Sequence, residues 1–293
     1  MIEVAGLSKR YGGTRAVDDL SFRVERGNVT GFLGPNGAGK TTTLRILLGL
    51  VRPTAGTATF GGKAYADLGD SARTVGAVLE ATAFHPGRSG RNHLRTLAAA
   101  AGIVDARVDQ VLALVGLTDA AGKRVKTYSL GMRQRLGIAA ALLGEPEVLV
   151  LDEPANGLDP QGIRWLRDVV RAFAAKGGTV LVSSHVLAEI AQTVDDVVIV
   201  DHGKLVTRKP LAEMRSSTAA SARVRSPQAA RLRELVAADG IEASAVDGDA
   251  FTARAATARI GELAAANAIV LHELAGDDAS LEDVFLELTE AAP

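Results

Sequence analysis

The chain has 293 residues, with 33 Lys and Arg against 34 Asp and Glu and no cysteine. At about 150 residues per domain the length predicts two domains, and a net charge of -1 lacks the broad positive field of a nucleic-acid binder. Without cysteine there is no disulfide scaffold, thiol nucleophile or thiolate metal site, so any chemistry rests on oxygen and nitrogen.

A spanning helix needs about 20 largely apolar residues. The longest stretch free of Asp, Glu, Lys and Arg is 13 residues, Gly27 to Gly39, and it is rich in glycine. The first residues, Met1-Ile2-Glu3-Val4, lack the basic start and apolar run of a secretory leader, so the expected location is the cytoplasm. A membrane role would then require a partner chain.

In chain order, short β-branched runs predict strands at Ile2 to Leu7, Leu20 to Val24, Val29 to Leu33 and Thr57 to Phe60. After Lys40 the spacing of Leu44, Leu47, Leu48 and Val51 predicts a helix that Pro53 and Gly56 stop. From about residue 81 to 144 alanine and leucine dominate, which predicts a helical insert with helices at Gly90 to Ala101, Ala106 to Val115 and Gly131 to Leu143. Apolar runs at Val148 to Leu151, Thr179 to Ser183 and Val197 to Val200, with a helix at Gln161 to Ala175, predict a doubly wound, mainly parallel sheet. Lys209 is the last lysine, and residues 211–293 carry a net charge of -7 against +6 for the residues before them. A boundary is therefore expected near Pro210. Beyond it, strands at Ala219 to Arg225, Glu242 to Val246, Asp249 to Arg254 and Ala268 to Glu273 alternate with helices at Pro227 to Ala238 and Ala256 to Ala266. That order is the ferredoxin-like, split βαβ pattern, followed by an acidic helix at Ser280 to Glu290.

Gly34-Pro35-Asn36-Gly37-Ala38-Gly39-Lys40-Thr41-Thr42 places a glycine loop and Gly-Lys-Thr between an apolar strand and a helix, the context of a P-loop. Its backbone N–H groups, from Gly37 to Thr41, suit a phosphate at the positive helix end, and glycine leaves the room that a Cβ would take. Lys40 is expected on the β and γ oxygens of a nucleotide and the Thr41 hydroxyl on Mg²⁺. Val148-Leu149-Val150-Leu151 ends in Asp152 and Glu153. Two carboxylates after a strand expected beside the P-loop strand predict a metal-side acid, Asp152, and a catalytic acid, Glu153, that activates the attacking water.

These residues resemble the ATP-binding subunits of ABC transporters, over about residues 1 to 210. Tyr128-Ser129-Leu130-Gly131-Met132-Arg133-Gln134-Arg135 is similar to the signature of that family, departing from it at Leu130 and Met132. The resemblance implies a P-loop NTPase core with a mainly parallel sheet, an N-terminal antiparallel β subdomain and an inserted helical subdomain. It implies that Ser129 and Gly131 meet the γ-phosphate held by a second copy of the chain. It further implies that Tyr11 stacks on adenine, that Asp159 in Gly157-Leu158-Asp159 joins the two active sites, and that His185 senses the γ-phosphate. Glu80 stands where the family has a glutamine that touches Mg²⁺, and its carboxylate is expected to ligate that ion through oxygen. Taken alone, Ser129 and Asp159 also read as helix caps, Tyr11 as packing before a glycine turn, and Glu80 as the partner of a surface arginine.

The implied protein is an ATPase that uses ATP and Mg²⁺, dimerises around two nucleotides and drives a separate membrane permease from the inner face of the membrane, with no nucleic-acid partner. The signature variant and the appended C-terminal module resemble the drug or antibiotic exporter type. The alternatives are an ABC ATPase acting on nucleic acid or ribosomes, and a regulatory ATP-binding module.

Overall fold

The computed structural model describes residues 1–79, 84–186, 190–217 and 221–277. It divides into two units, the first Met1–Pro210 and the second beginning at Leu211.

The first unit opens with β1 (Ile2–Tyr11) and β2 (Thr14–Val24), an antiparallel pair that buries Ile2, Val4, Leu7, Leu20, Phe22 and Val24. β3 (Val29–Leu33) is buried along its whole length and runs through the glycine loop into α1 (Lys40–Leu47). The helix stops well before Pro53, because Gly49 takes a left-handed φ of 70° and its N–H returns to the Ile46 carbonyl. Val51 is therefore outside the helix that its spacing predicted. β4 (Ala55–Phe60) pairs antiparallel with β1, giving a separate sheet of order β2-β1-β4.

α2 (Ser71–Thr74) leads into β5 (Val75–Val78), and the helical insert follows as α3 (Gly90–Ala100), α4 (Ala106–Leu114) and α5 (Leu130–Ala141). Then come β6 (Val148–Leu151), α6 (Pro160–Ala175), β7 (Thr179–Ser184), β8 (Asp196–Asp201) and β9 (Lys204–Pro210). The main sheet has the order β5-β6-β7-β3-β8-β9 and is parallel except for β9. β6 and β7 are buried from end to end, as expected of strands covered on both faces.

Two features of the main sheet differ from the sequence expectation. β6 does not neighbour the P-loop strand; β7 lies between β6 and β3. β9 was not expected at all. It returns antiparallel to β8 through His202-Gly203, both with positive φ, the geometry of a tight hairpin.

In the second unit, α7 (Leu211–Ser217) precedes β10 (Ser221–Arg225), α8 (Ala229–Ala238), β11 (Ala250–Ala253), α9 (Thr257–Ala266) and β12 (Glu273–Asp277). The antiparallel order β11-β10-β12 encloses a core of Val224, Leu232, Val236, Phe251, Ile260 and Ile269. The expected strand Glu242 to Val246 is reduced to single bridges, Ala243 to Ala253 and Asp247 to Ala250. There the Ser244 hydroxyl accepts the Thr252 N–H, so a side chain replaces part of a backbone ladder. The last strand begins at Glu273, where it was expected to end. The Ala268 and Ile269 N–H groups are taken by Ala265 and Ala264 carbonyls that close α9, with Ala268 left-handed at φ 53°. The expected helix Ser280 to Glu290 lies outside the described residues.

Candidate nucleotide site

The glycine loop is built by close approaches that forbid side chains. A Cβ on Gly34 would run into the Val200 carbonyl of β8, and one on Gly39 into the Ala16 carbonyl of β2. Gly37 and Gly39 hold φ of 87° and 96°, which only glycine adopts without strain. The β8–β9 hairpin braces the loop: the Gly203 N–H donates to the Ala38 carbonyl at 3.1 Å, and the Asp18 N–H to the Gly203 carbonyl at 2.8 Å. Gly39 caps α1 without a side chain, so the first N–H groups of that helix face outward, able to receive an anion.

Lys40 is buried, and its ammonium donates to the Gly34 carbonyl at 2.6 Å and the Pro35 carbonyl at 3.2 Å. It lies 3.6 Å from Glu153 Oε1. The Thr41 hydroxyl donates to Asp152 Oδ2 at 2.8 Å, and the Ser183 hydroxyl to Asp152 Oδ1 at 2.5 Å. The Glu153 N–H in turn donates to Ser183 Oγ at 2.9 Å. Glu153 itself is left-handed, with φ of 47°, a strained state for a side-chain-bearing residue. This bend after β6 accompanies a carboxylate that faces both Lys40 and His185, whose Nδ1 is 2.8 Å from Glu153 Oε2.

Ala16, Asn36, Gly37, Gly39, Lys40, Thr41, Thr42, Glu153, Asn156 and His185 line one pocket of about 330 Å³. Gly34, Pro35 and Ala38 shape its loop from behind. Ser183, Asn156 and Ala16 had no assigned place in the sequence reading. Ser183 was visible in Val182-Ser183-Ser184-His185, but its role needs β7 to lie beside β6, and strand order is not written in that motif.

Ser129, Gly131, Asp159 and Tyr11 do not line the pocket. Ser129 caps α5 by accepting the Met132 N–H at 3.2 Å, and Asp159 caps α6 by accepting the Gly162 N–H at 2.7 Å. The two helix starts pack together. Gly157, at φ 75°, has no room for a Cβ because Leu130 occupies the space, so the larger residue in the signature is matched by a glycine across from it. Tyr11 is half exposed, with the Lys9 ammonium 4.8 Å over its ring. Glu80 lies outside the described residues.

A family model described as ABC transporter matches residues 17–156, an AAA domain model overlaps it at 124–191, and a family described only as a domain of unknown function matches 220–282. The bacitracin transport ATP-binding protein BcrA of Bacillus licheniformis is 43% identical over 218 residues, covering 73% of this chain and 71% of that protein. The daunorubicin/doxorubicin resistance ATP-binding protein DrrA of Streptomyces peucetius is 40% identical over 221 residues, covering 74% and 67%. A solved structure of an ATP binding subunit of an ABC transporter, 30% identical, matches with a TM-score of 0.67 over 74% of this chain and 92% of its own. With the phosphate loop, Glu153 and His185 lining one pocket and Asp152 hydrogen-bonded to Thr41 beside it, the chain belongs to the ATP-hydrolysing subunits of ABC transporters.

Proposed function

We propose that this chain powers the export of a drug, antibiotic or other small amphipathic compound through a separate membrane permease. The contiguous set Lys40, Glu153 and His185 at the mouth of the phosphate loop carries the hydrolytic part of this reading. The bacitracin and daunorubicin/doxorubicin names of its relatives support the class of cargo.

The loop N–H groups and Lys40 bind the β- and γ-phosphates. Thr41 and Asp152 supply two hard oxygen donors already joined by one hydrogen bond, a donor set that fits Mg²⁺. When bound, that ion neutralises charge on the phosphate oxygens. No cluster of three His, Asp or Glu forms a metal site among the described residues, which accords with an ion that takes most of its ligands from nucleotide and water. The γ-phosphate competes with Glu153 for the Lys40 ammonium. Once released from that ion pair, the Glu153 carboxylate accepts the proton of the attacking water, and His185 Nδ1–H on Oε2 holds its orientation.

Ser129 and the Gly131 N–H sit at the start of α5, outside the pocket of their own chain, and serve the nucleotide of a second copy. Asp159, beside them, joins the two sites, and Tyr11 stacks on the base. No helix among the described residues is long and apolar enough to cross a membrane, and in this reading the permease holds the chain at the inner face.

The test is ATP-driven export by vesicles carrying the permease and this chain. Glu153→Gln keeps the shape of the site and removes the base, so ATP binding is retained while phosphate release falls about 10²- to 10⁴-fold and export stops. Undiminished phosphate release by this variant would refute the role of Glu153.

A further inference from the structure

A second cavity, of about 460 Å³, opens where the helical insert meets the main sheet. Leu114 at the end of α4, Leu142 after α5, and Val169 and Phe173 on α6 form its apolar walls. Its lining includes Glu147 and Gly178, the residues that lead into β6 and β7, so it lies at the opposite ends of the strands from Asp152 and His185. The volume and the apolar lining are those of a small-molecule site.

Its charges are unequally matched. Glu147 pairs with Arg26 at 3.3 Å and Glu145 with Arg107 at 3.6 Å, so each rim carboxylate has its own cation. The carbonyls at the end of α5 are satisfied by Arg107, which donates to Leu142 and Leu143. Those of Phe173 and Ala174 at the end of α6 receive the Gly178 and Gly177 N–H groups. Lys176, exposed at the rim, has no carboxylate in ion-pair range among the described residues. The surplus charge is therefore positive and stands at the edge of an apolar cleft.

The same seam is closed further along by Arg135 on α5. Its guanidinium lies 4.3 Å over the Trp165 ring of α6, and its Nη1 donates to the Val115 carbonyl after α4 at 3.1 Å. Trp165, Val169, Phe173 and Lys176 follow one helical stripe, as do Arg135 and Leu142 on the facing helix. A body wedged at the open end therefore bears on the contact at the closed end.

We infer that this cleft binds an amphipathic carboxylate, its apolar body between α5 and α6 and its head group on Lys176, and that occupancy shifts the helical insert against the sheet. The site is independent of the roles given above to the nucleotide residues. Trp165 is the only tryptophan in the sequence, so its emission reports this seam alone.

Sodium decanoate, kept below its micelle concentration, is titrated into the full chain by calorimetry while Trp165 emission is followed. The expected result is saturable binding of one molecule per chain, with an emission change at the same midpoint. Lys176→Glu weakens that binding about tenfold, and Ala172→Phe, which fills the cleft from its rim, abolishes it. Hydrolysis measured without decanoate is unchanged in both variants, which also shows that they fold. Decyltrimethylammonium does not bind saturably. Absence of saturable decanoate binding, equal binding of the cationic amphiphile, or unchanged affinity in both variants overturns the site. Binding without an emission change overturns the coupling to the insert.

Discussion

Ser183 links the two acids that follow β6. Its hydroxyl donates to Asp152 and accepts the Glu153 N–H, so one small side chain fixes both carboxylates. Ser183→Ala removes both bonds and leaves buried polar groups without a partner. It is expected to lower kcat about tenfold and to destabilise the fold by about 1 to 3 kcal/mol, read from steady-state hydrolysis and a urea titration. An unchanged kcat would make Ser183 a packing residue only. At this scale much was legible. Gly34, Gly37 and Gly39 are fixed by chemistry that tolerates no side chain, and Lys40, Thr41, Asp152 and Glu153 stand at motif spacings. Ser183 was hidden because its partners come from a neighbouring strand, and the left-handed turn of Glu153 has no signal in a glutamate codon of an apolar strand's end.

Among the elements, α3 carries a titratable group with no evident service to the nucleotide. His93 lies edge-on to Phe84 at 4.9 Å between ring centroids, with Nδ1 buried and unpartnered. Burial, and then the charge of Arg88, hold its pKa below the ordinary value of 6.5. The folded chain thus resists a proton that the unfolded chain accepts. Stability is full above about pH 6.5 and declines as the pH falls below it, towards the lower pKa of the folded state. His93→Phe keeps the ring contact and removes the proton site, so urea midpoints should decline less between about pH 7 and 5 than in the wild type. Equal slopes would show that His93 does not contribute to acid lability. Element boundaries were less legible than element types. α1 ends at Gly49 because a left-handed glycine closes it, although Val51 continues its apolar spacing. β9 is mostly polar and exposed on a sheet edge and lacks the apolar run that marks the inner strands.

For the whole molecule, the phosphate loop with its acids and the capped start of α5 lie apart on the same chain, and the proposed function makes them the two parts of a nucleotide site. The mainly parallel sheet was legible from its apolar runs, since strands buried on both faces need no polar alternation. The order β6-β7-β3 was not, because a crossover that skips a strand leaves the same runs in the same sequence. Sharing of each nucleotide between two copies is the central claim, and mixing two inactive variants tests it most directly. Lys40→Ala disables the loop of one copy and Ser129→Arg the helix start of the other. If sites form between copies, the mixed dimer pairs one intact loop with one intact helix start, so an equimolar mixture recovers hydrolysis to about a quarter of the wild type. A mixture as inactive as either variant alone would contradict the shared site.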